Sequence, residues 1–217
     1  MIVEVYADIV CPWCYIGMRR LSAALAQRPD LRVERRWRPF QLQPAMPRAG
    51  LAWPEFVESK FGGAERARVA FARVTAVGAA EGIEFDFERI ANAPNTRDAH
   101  RLVLFTAREG REWELADALF AAYFARGRDL GDHEQLADAA ASVGLSRAAA
   151  LTYLASDEGG AEVDASQQEA YQTGVTGVPF YVLDGRYALS GAQPVEVFLQ
   201  ALDLAREAPS GQVVQAR

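Results

Sequence analysis

The chain has two cysteines, Cys11 and Cys14, and they frame the run Cys11-Pro12-Trp13-Cys14. A short apolar segment, Ile2 to Tyr6, precedes the run, and an apolar-periodic segment, Tyr15 to Leu25, follows it. That order predicts strand, sharp turn and helix, with both thiols in the first helical turn. Side chains three apart on a helix share a face, with Cβ atoms roughly 5–6 Å apart. A disulfide needs roughly 3.5–4.5 Å between Cβ atoms, which an adjustment of the first turn supplies. With Cys11 as N-cap, its sulfur is expected to accept the free N–H groups of Trp13 or Cys14, and the helix dipole favours negative charge there. Pro12 then sits at the first helical position, where its missing N–H costs nothing. These effects predict a thiolate on Cys11, with a pKa below its ordinary value of roughly 8.5. Cys14, deeper in the helix, is the expected resolving thiol.

A paired cysteine motif is also half of a zinc site, and that reading needs further ligands at matching spacing. The chain supplies only His100 and His133, far apart on separate predicted helices. No metal is therefore expected. The 217 residues suffice for one large domain or a small one with a large insertion. Half the residues are apolar and 24% are charged, so the chain buries a real core. A net charge of −6 argues against nucleic acid or an anionic membrane as partner. The opening Met1-Ile2-Val3-Glu4-Val5 has no basic, signal-like region, and no run reaches the ~20 apolar residues of a membrane span. A cytoplasmic location is the expectation. Thiols are kept reduced there, so a paired set is more readily catalytic or redox-sensing than structural.

Beyond the first helix, expected over Pro12 to Arg28, Leu31 to Arg38 alternates as a half-buried strand, completing a β-α-β unit with a parallel pair. Pro39 to Pro44 ends this regular structure. Residues 45–155 read as an all-helical section: Ala64 to Glu81, a helix from Thr96 to Glu109 capped by Asn95, Glu112 to Arg126, and two shorter helices with Asp132 and Ser146 as N-caps. Phe56, Phe61, Phe71, Leu104, Phe105, Leu119, Phe120 and Phe124 are its candidate core. Alternation resumes with a helix from Ala161 to Thr173, a strand over Val175 to Leu183, an Asp184-Gly185 hairpin turn and a last helix from Pro194 to Arg206. The polar tail, 208–217, is expected to be loose.

This order resembles a thioredoxin fold with an inserted helical domain: an α/β core from 1–44 and 156–207, and an insertion over 45–155. Val178-Pro179 is similar to that fold's cis-proline loop, which packs beside the paired cysteines. Asp8-Ile9-Val10-Cys11-Pro12-Trp13-Cys14-Tyr15-Ile16-Gly17, Trp37-x-Pro39-Phe40-Gln41-Leu42, Asn95-Thr96-x-x-Ala99-His100-Arg101-Leu102 and Gly174-Val175-x-Gly177-Val178-Pro179 resemble the FrnE-type branch of the DsbA family of disulfide oxidoreductases. The likeness covers nearly all of the chain except the tail. Glutathione-using relatives, the 2-hydroxychromene-2-carboxylate isomerases and kappa-class glutathione transferases, generally carry serine at the position of Cys11. This chain departs from them there.

The resemblance implies thiol–disulfide exchange through Cys11 and Cys14, supported by Pro12, Trp13, Val178 and Pro179. No cofactor is expected beyond the redox-active pair. The expected partners are protein or peptide thiols and disulfides, with glutathione as a candidate co-substrate. The alternatives are a glutathione-dependent isomerase or transferase, and a non-enzymatic chaperone-like binder. The insertion is expected to wall a cleft over Cys11, with Trp13 and Phe40 on its rim and Asn95 and His100 as candidate cleft residues. The plainer roles are a helix cap for Asn95 and a hydrogen-bonded helix residue for His100.

Overall fold

A computed structural model of the chain describes residues 1–207 and 214–215. It divides into two compact units, Met1–Leu42 with Ser166–Arg217, and Gln43–Ala165. The first unit is built on a sheet of order β2-β1-β5-β6-β7, with β1 at Ile2–Ala7, β2 at Glu34–Pro39, β5 at Phe180–Leu183, β6 at Tyr187–Ser190 and β7 at Val214–Gln215. β1 pairs parallel to β2, with Val5 opposite Trp37, and antiparallel to β5, with Val5 also opposite Tyr181. α1, Pro12–Ala26, is the crossover between β1 and β2, and it packs on α9, Val195–Glu207. The alternation expected before residue 40 is present: Trp37 is buried while Glu34 and Arg36 are exposed. Its ladder starts at Glu34 and runs through Pro39.

Two expectations shift in this unit. The strand foreseen from Val175 begins only at Phe180, because Pro179 has no N–H to give a ladder. The hairpin does turn at Asp184 and Gly185, whose φ angles of 49° and 67° are both left-handed. Leu183 then pairs with Tyr187 across a connection of Asp184, Gly185 and Arg186. Asp184 earns its place by more than turn propensity, since its carboxylate accepts the Ile2 N–H at 2.6 Å and fastens the hairpin to the start of β1. The tail expected to be loose lies outside the described residues, apart from the two that pair parallel to β6.

The second unit holds α2 (Trp53–Phe61), α3 (Ala64–Ala80), α4 (Arg97–Ala107), α5 (Glu112–Arg126), α6 (His133–Ser142) and α7 (Arg147–Leu154). α8, Gly160–Gln172, is one continuous helix whose residues from Ser166 onward count with the first unit. The boundary thus falls inside a helix instead of in a loop near 156. The section is not wholly helical. Leu51–Ala52 (β3) and Asn92–Ala93 (β4) form a short antiparallel ladder, and Phe87–Arg89 is a 3₁₀ turn. Two-residue strands carry no periodicity, so nothing in the sequence marks them. Aromatic rings run through this unit from Trp53 to Phe71, Phe87, Phe85 and Phe124, with successive centroids 4.2–5.7 Å apart. Leu119, Phe120 and Phe124 of the expected core are fully buried, whereas Phe56, Phe61, Phe71, Leu104 and Phe105 are half-buried.

Asp132 and Ser146 cap α6 and α7 as expected, accepting from the Glu134 and Ala149 backbone N–H groups. Asn95 is displaced by one position from its expected role. Thr96 is the N-cap of α4 without a side-chain bond, and the Asn95 carboxamide oxygen accepts the Arg97 N–H at 2.9 Å from one residue further back. Its amide nitrogen donates to the Met46 carbonyl at 2.6 Å.

Candidate active site

β1 ends at Ala7, and the chain turns through Asp8, Ile9 and Val10 into α1. The turn is closed by the Cys11 N–H donating to the Asp8 carbonyl at 3.0 Å. The Asp8 carboxylate is buried and accepts the Leu42 N–H at 2.7 Å, so one residue ties the cysteine loop to the chain leaving β2. Cys11 is the N-cap of α1, with extended backbone, and Pro12 occupies the first helical position. Both placements follow the sequence expectation. The sulfur's capping role does not: Cys11 makes no side-chain cap bond. Its thiol has a hydrogen to donate, and Sγ instead faces the Val178 carbonyl oxygen at 3.7 Å. The first-turn N–H groups therefore have no bond to that sulfur.

The Val178-Pro179 peptide bond is cis. The loop carrying it stands beside the cysteines, because Val178 receives Cys11 and the residue after Phe180 returns to the same helix. That residue is Tyr181. A Cβ built on Gly17 would overlap its hydroxyl oxygen and lie 3.2 Å from Pro179 Cγ. Glycine at 17 is thus what lets α1 approach the strand this closely. Cys11, Cys14, Pro179 and Tyr181 converge at one end of the sheet.

Cys11 and Cys14 are both free and buried. Burial first, then the hydrogen bond and the charge of Cys11, push the Cys14 thiol well above its ordinary range; the Asp8 charge adds to this while a backbone group of Asp8 opposes it. Burial also raises the Tyr181 phenol well up, followed by the charges of Cys14 and then Cys11, with Arg20 opposing. A deprotonated Cys14 is therefore costly unless something nearby compensates it.

The remaining candidates scatter. Trp13 is half-exposed on the first turn of α1. Phe40 is not a rim residue: it is buried against Tyr6, Ala170 and Val175, with its ring edge-on to Tyr171 at 5.9 Å. Phe40 follows the last residue of β2 out of phase with Trp37 and Pro39, on the side of Arg38, and is buried there because Tyr6, Ala170 and Val175 pack over that side. His100 is fully buried in α4 of the second unit, and Asn95 is held by its two backbone bonds there. Among the described residues no cluster of His, Cys, Asp or Glu could hold a metal ion, and no helix is long and apolar enough to cross a membrane. Sequence reasoning assigned no role to Asp8, Gly17 or Tyr181. For Gly17 a signal existed, a side-chain-free residue one turn after Cys14. Tyr181 looks like any strand aromatic until its partner across the helix is known.

Known proteins resemble this chain in sequence and fold. The chain is 26% identical over 213 residues to the uncharacterized protein YwbO of Bacillus subtilis, covering 92% of this chain and 94% of that one. Its fold is similar to the crystal structure of a probable DsbA oxidoreductase from Streptomyces coelicolor, with TM-score 0.88 and 37% identity over 100% of this chain and 94% of that one. It is similar in fold alone to a 2-hydroxychromene-2-carboxylate isomerase, with TM-score 0.70 and 19% identity over 95% of each chain. The sequence pattern of DSBA-like thioredoxin domains matches residues 2–203, a span that includes the paired cysteines, the cis-proline loop and the helices of the described residues up to the last turn of α9. By that match the chain belongs to the DSBA-like thioredoxin domain family.

Proposed function

We propose that this protein exchanges disulfides with protein or peptide substrates through the Cys11–Cys14 pair, as a cytoplasmic member of the FrnE-type branch of its family. The observation that carries the reading is the pairing of two buried free thiols at the start of α1, with Cys11 facing the Val178 carbonyl beside Pro179. The Cys11 thiolate attacks a substrate disulfide. A Cys11–substrate disulfide forms, and the other substrate sulfur leaves as a thiolate. Cys14 then attacks Cys11 Sγ, the second substrate sulfur leaves, and the protein is left oxidised while the substrate is reduced. Run in reverse, the same pair donates a disulfide. Pro12 and Trp13 shape the first turn, and Val178 offers its backbone to an extended peptide beside Cys11. Glutathione, a small thiol, fits the same chemistry as a co-substrate.

A glutathione-dependent isomerase or transferase is the second reading, supported by the fold shared with the isomerase. In that chemistry one group activates glutathione, and Cys14 forms no bond. Cys14→Ser separates the two. Exchange requires it to abolish turnover and accumulate mixed disulfides on Cys11, detectable by non-reducing electrophoresis and mass spectrometry. Full disulfide turnover by the variant would exclude the two-thiol mechanism.

A further inference from the structure

Tyr181 is fully buried, its ring edge-on to Phe198 with centroids 4.8 Å apart. Its hydroxyl has no hydrogen-bond partner among the described residues. A buried polar group in that state is destabilising, and native proteins keep few of them without a reason. The direction of the hydroxyl suggests the reason. It occupies the space a Gly17 side chain would fill. Cα–Cβ bonds on a helix tilt toward its N-terminus, so that space lies on the Cys14 side of the turn. Cys14 and Gly17 are three residues apart on one helical face.

We propose that the Tyr181 hydroxyl donates a hydrogen bond to the Cys14 sulfur when that sulfur becomes a thiolate in the resolving step. The inference rests on the exchange reading above. In the dithiol form Cys14 shares a hydrogen bond with Cys11, and a thiol sulfur is a weak acceptor. The hydroxyl makes no hydrogen bond to either sulfur in that form. In the mixed disulfide Cys11 is covalently occupied, and Cys14 must ionise to attack it. A thiolate is a far better acceptor, and the buried hydroxyl, which makes no hydrogen bond to either sulfur in the dithiol form, closes on it when it forms. The S–S bond to the substrate breaks as the Cys11–Cys14 bond forms. The proton Cys14 gives up balances the one the leaving substrate thiolate takes up. Tyr181 keeps its own proton throughout, since burial and the nearby sulfurs oppose its ionisation. The other groups bearing on this titration are Cys11 and Asp8, which face Cys14, and Arg20, which acts on Tyr181.

The test is Tyr181→Phe, read by the pH dependence of the resolving step and by NMR titration of Cβ-labelled Cys14 in a Cys11→Ala background. Loss of the donor should move the Cys14 titration up by about one unit, and slow decay of a preformed mixed disulfide roughly tenfold below that pKa. The slowing should vanish at pH values above it. Site-specific 3-fluorotyrosine at 181 keeps the ring and strengthens the donor, so Cys14 should then titrate lower. This second measurement also decides the case if Tyr181→Phe fails to fold. An unmoved Cys14 titration, or slowing of equal size at every pH, would overturn the proposal and leave the hydroxyl a packing group. Failure of the exchange reading is separate, because then no mixed disulfide accumulates with Cys14→Ser.

Discussion

Two buried polar side chains, one in each unit, are treated in opposite ways. Arg101 of α4 donates from all three of its guanidinium nitrogens. Its guanidinium donates to the Glu158 carbonyl at 2.7 Å, the Tyr153 carbonyl at 3.1 Å, the Ser156 carbonyl at 2.6 Å and the Asp98 carboxylate at 2.7 Å. One planar fork thereby ties the carbonyls at the end of α7 and in the loop after it to α4, joining the bonds that Ser156 already makes to the Tyr153 carbonyl. Tyr181 of β5 is just as buried, and its hydroxyl is left open beside the cysteines. A group bonded in this way fixes one geometry. An open one, held in a packed wall, is ready for an acceptor that exists only part of the time. The difference separates a group that maintains the fold from one poised for chemistry.

The comparison is broken most forcefully at Arg101. Arg101→Met removes the cation and leaves a partly buried carboxylate and three carbonyls without it. The expected loss is about 3–5 kcal/mol, the usual result of deleting one partner of a buried pair. Denaturant unfolding of the variant measures it. Exchange chemistry per folded molecule should be unchanged, since the bonds of Arg101 go to Asp98 and to the segment from Tyr153 to Glu158. A loss under about 1 kcal/mol would mean that the four bonds are only those of a surface pair.

Asp98 sharpens the same contrast through pH. Its burial would raise its pKa, but the hydrogen bonds from His133 and Arg101 and their charges outweigh this and hold the carboxyl below its ordinary value. A depressed folded pKa means that the contribution to stability is present above the unfolded value of about 3.9 and is lost as pH falls through the folded one. Asp98→Asn should therefore cost about 1.5–3 kcal/mol at pH 7, the scale of hydrogen bonds to a charged group. The difference from wild type should be smaller at an acidic pH below the unfolded value than at pH 7. Urea midpoints at the two pH values test this, and a gap that stays constant with acidification would contradict it.

The fixed features of this protein are the ones its sequence displays. Helix periodicity, Pro12 at a first helical position, Asp132 and Ser146 as caps, and Asp184-Gly185 as a turn are local signals, and each stands where local chemistry puts it. The order of motifs also foretold the cis bond before Pro179 and its place beside Cys11. What was illegible depends on pairings between distant segments. Phe40 became core because β2 turns it toward Ala170 and Val175, more than a hundred residues away in the chain. The β3–β4 ladder joins Leu51 to Ala93 with no pattern at either end. The sulfur of Cys11 was expected to cap its own helix, and only the position of Val178 gave its hydrogen another acceptor. Tyr181 and Gly17 acquire meaning only together, across strand and helix.

The smallest effect is expected where the comparison is most exposed to refutation. If the Tyr181 hydroxyl has no partner in the reduced protein, removing it should cost almost nothing in stability. Tyr181→Phe deletes a buried group whose desolvation is not repaid by a bond, a change that is neutral or favourable when the ring keeps its packing. The ring contact with Phe198 survives, and the only space opened is that of one oxygen beside Gly17. The reduced variant should therefore unfold within about 1 kcal/mol of wild type, on the stable side if at all. Urea unfolding under reducing conditions measures it. A loss well beyond about 1 kcal/mol would show the hydroxyl to be a fastening like Arg101, with a bond already made in the resting protein. Near-equal stability together with a slowed resolving step would set the two side chains apart, because packing lost without stability lost cannot slow a reaction in a pH-dependent way.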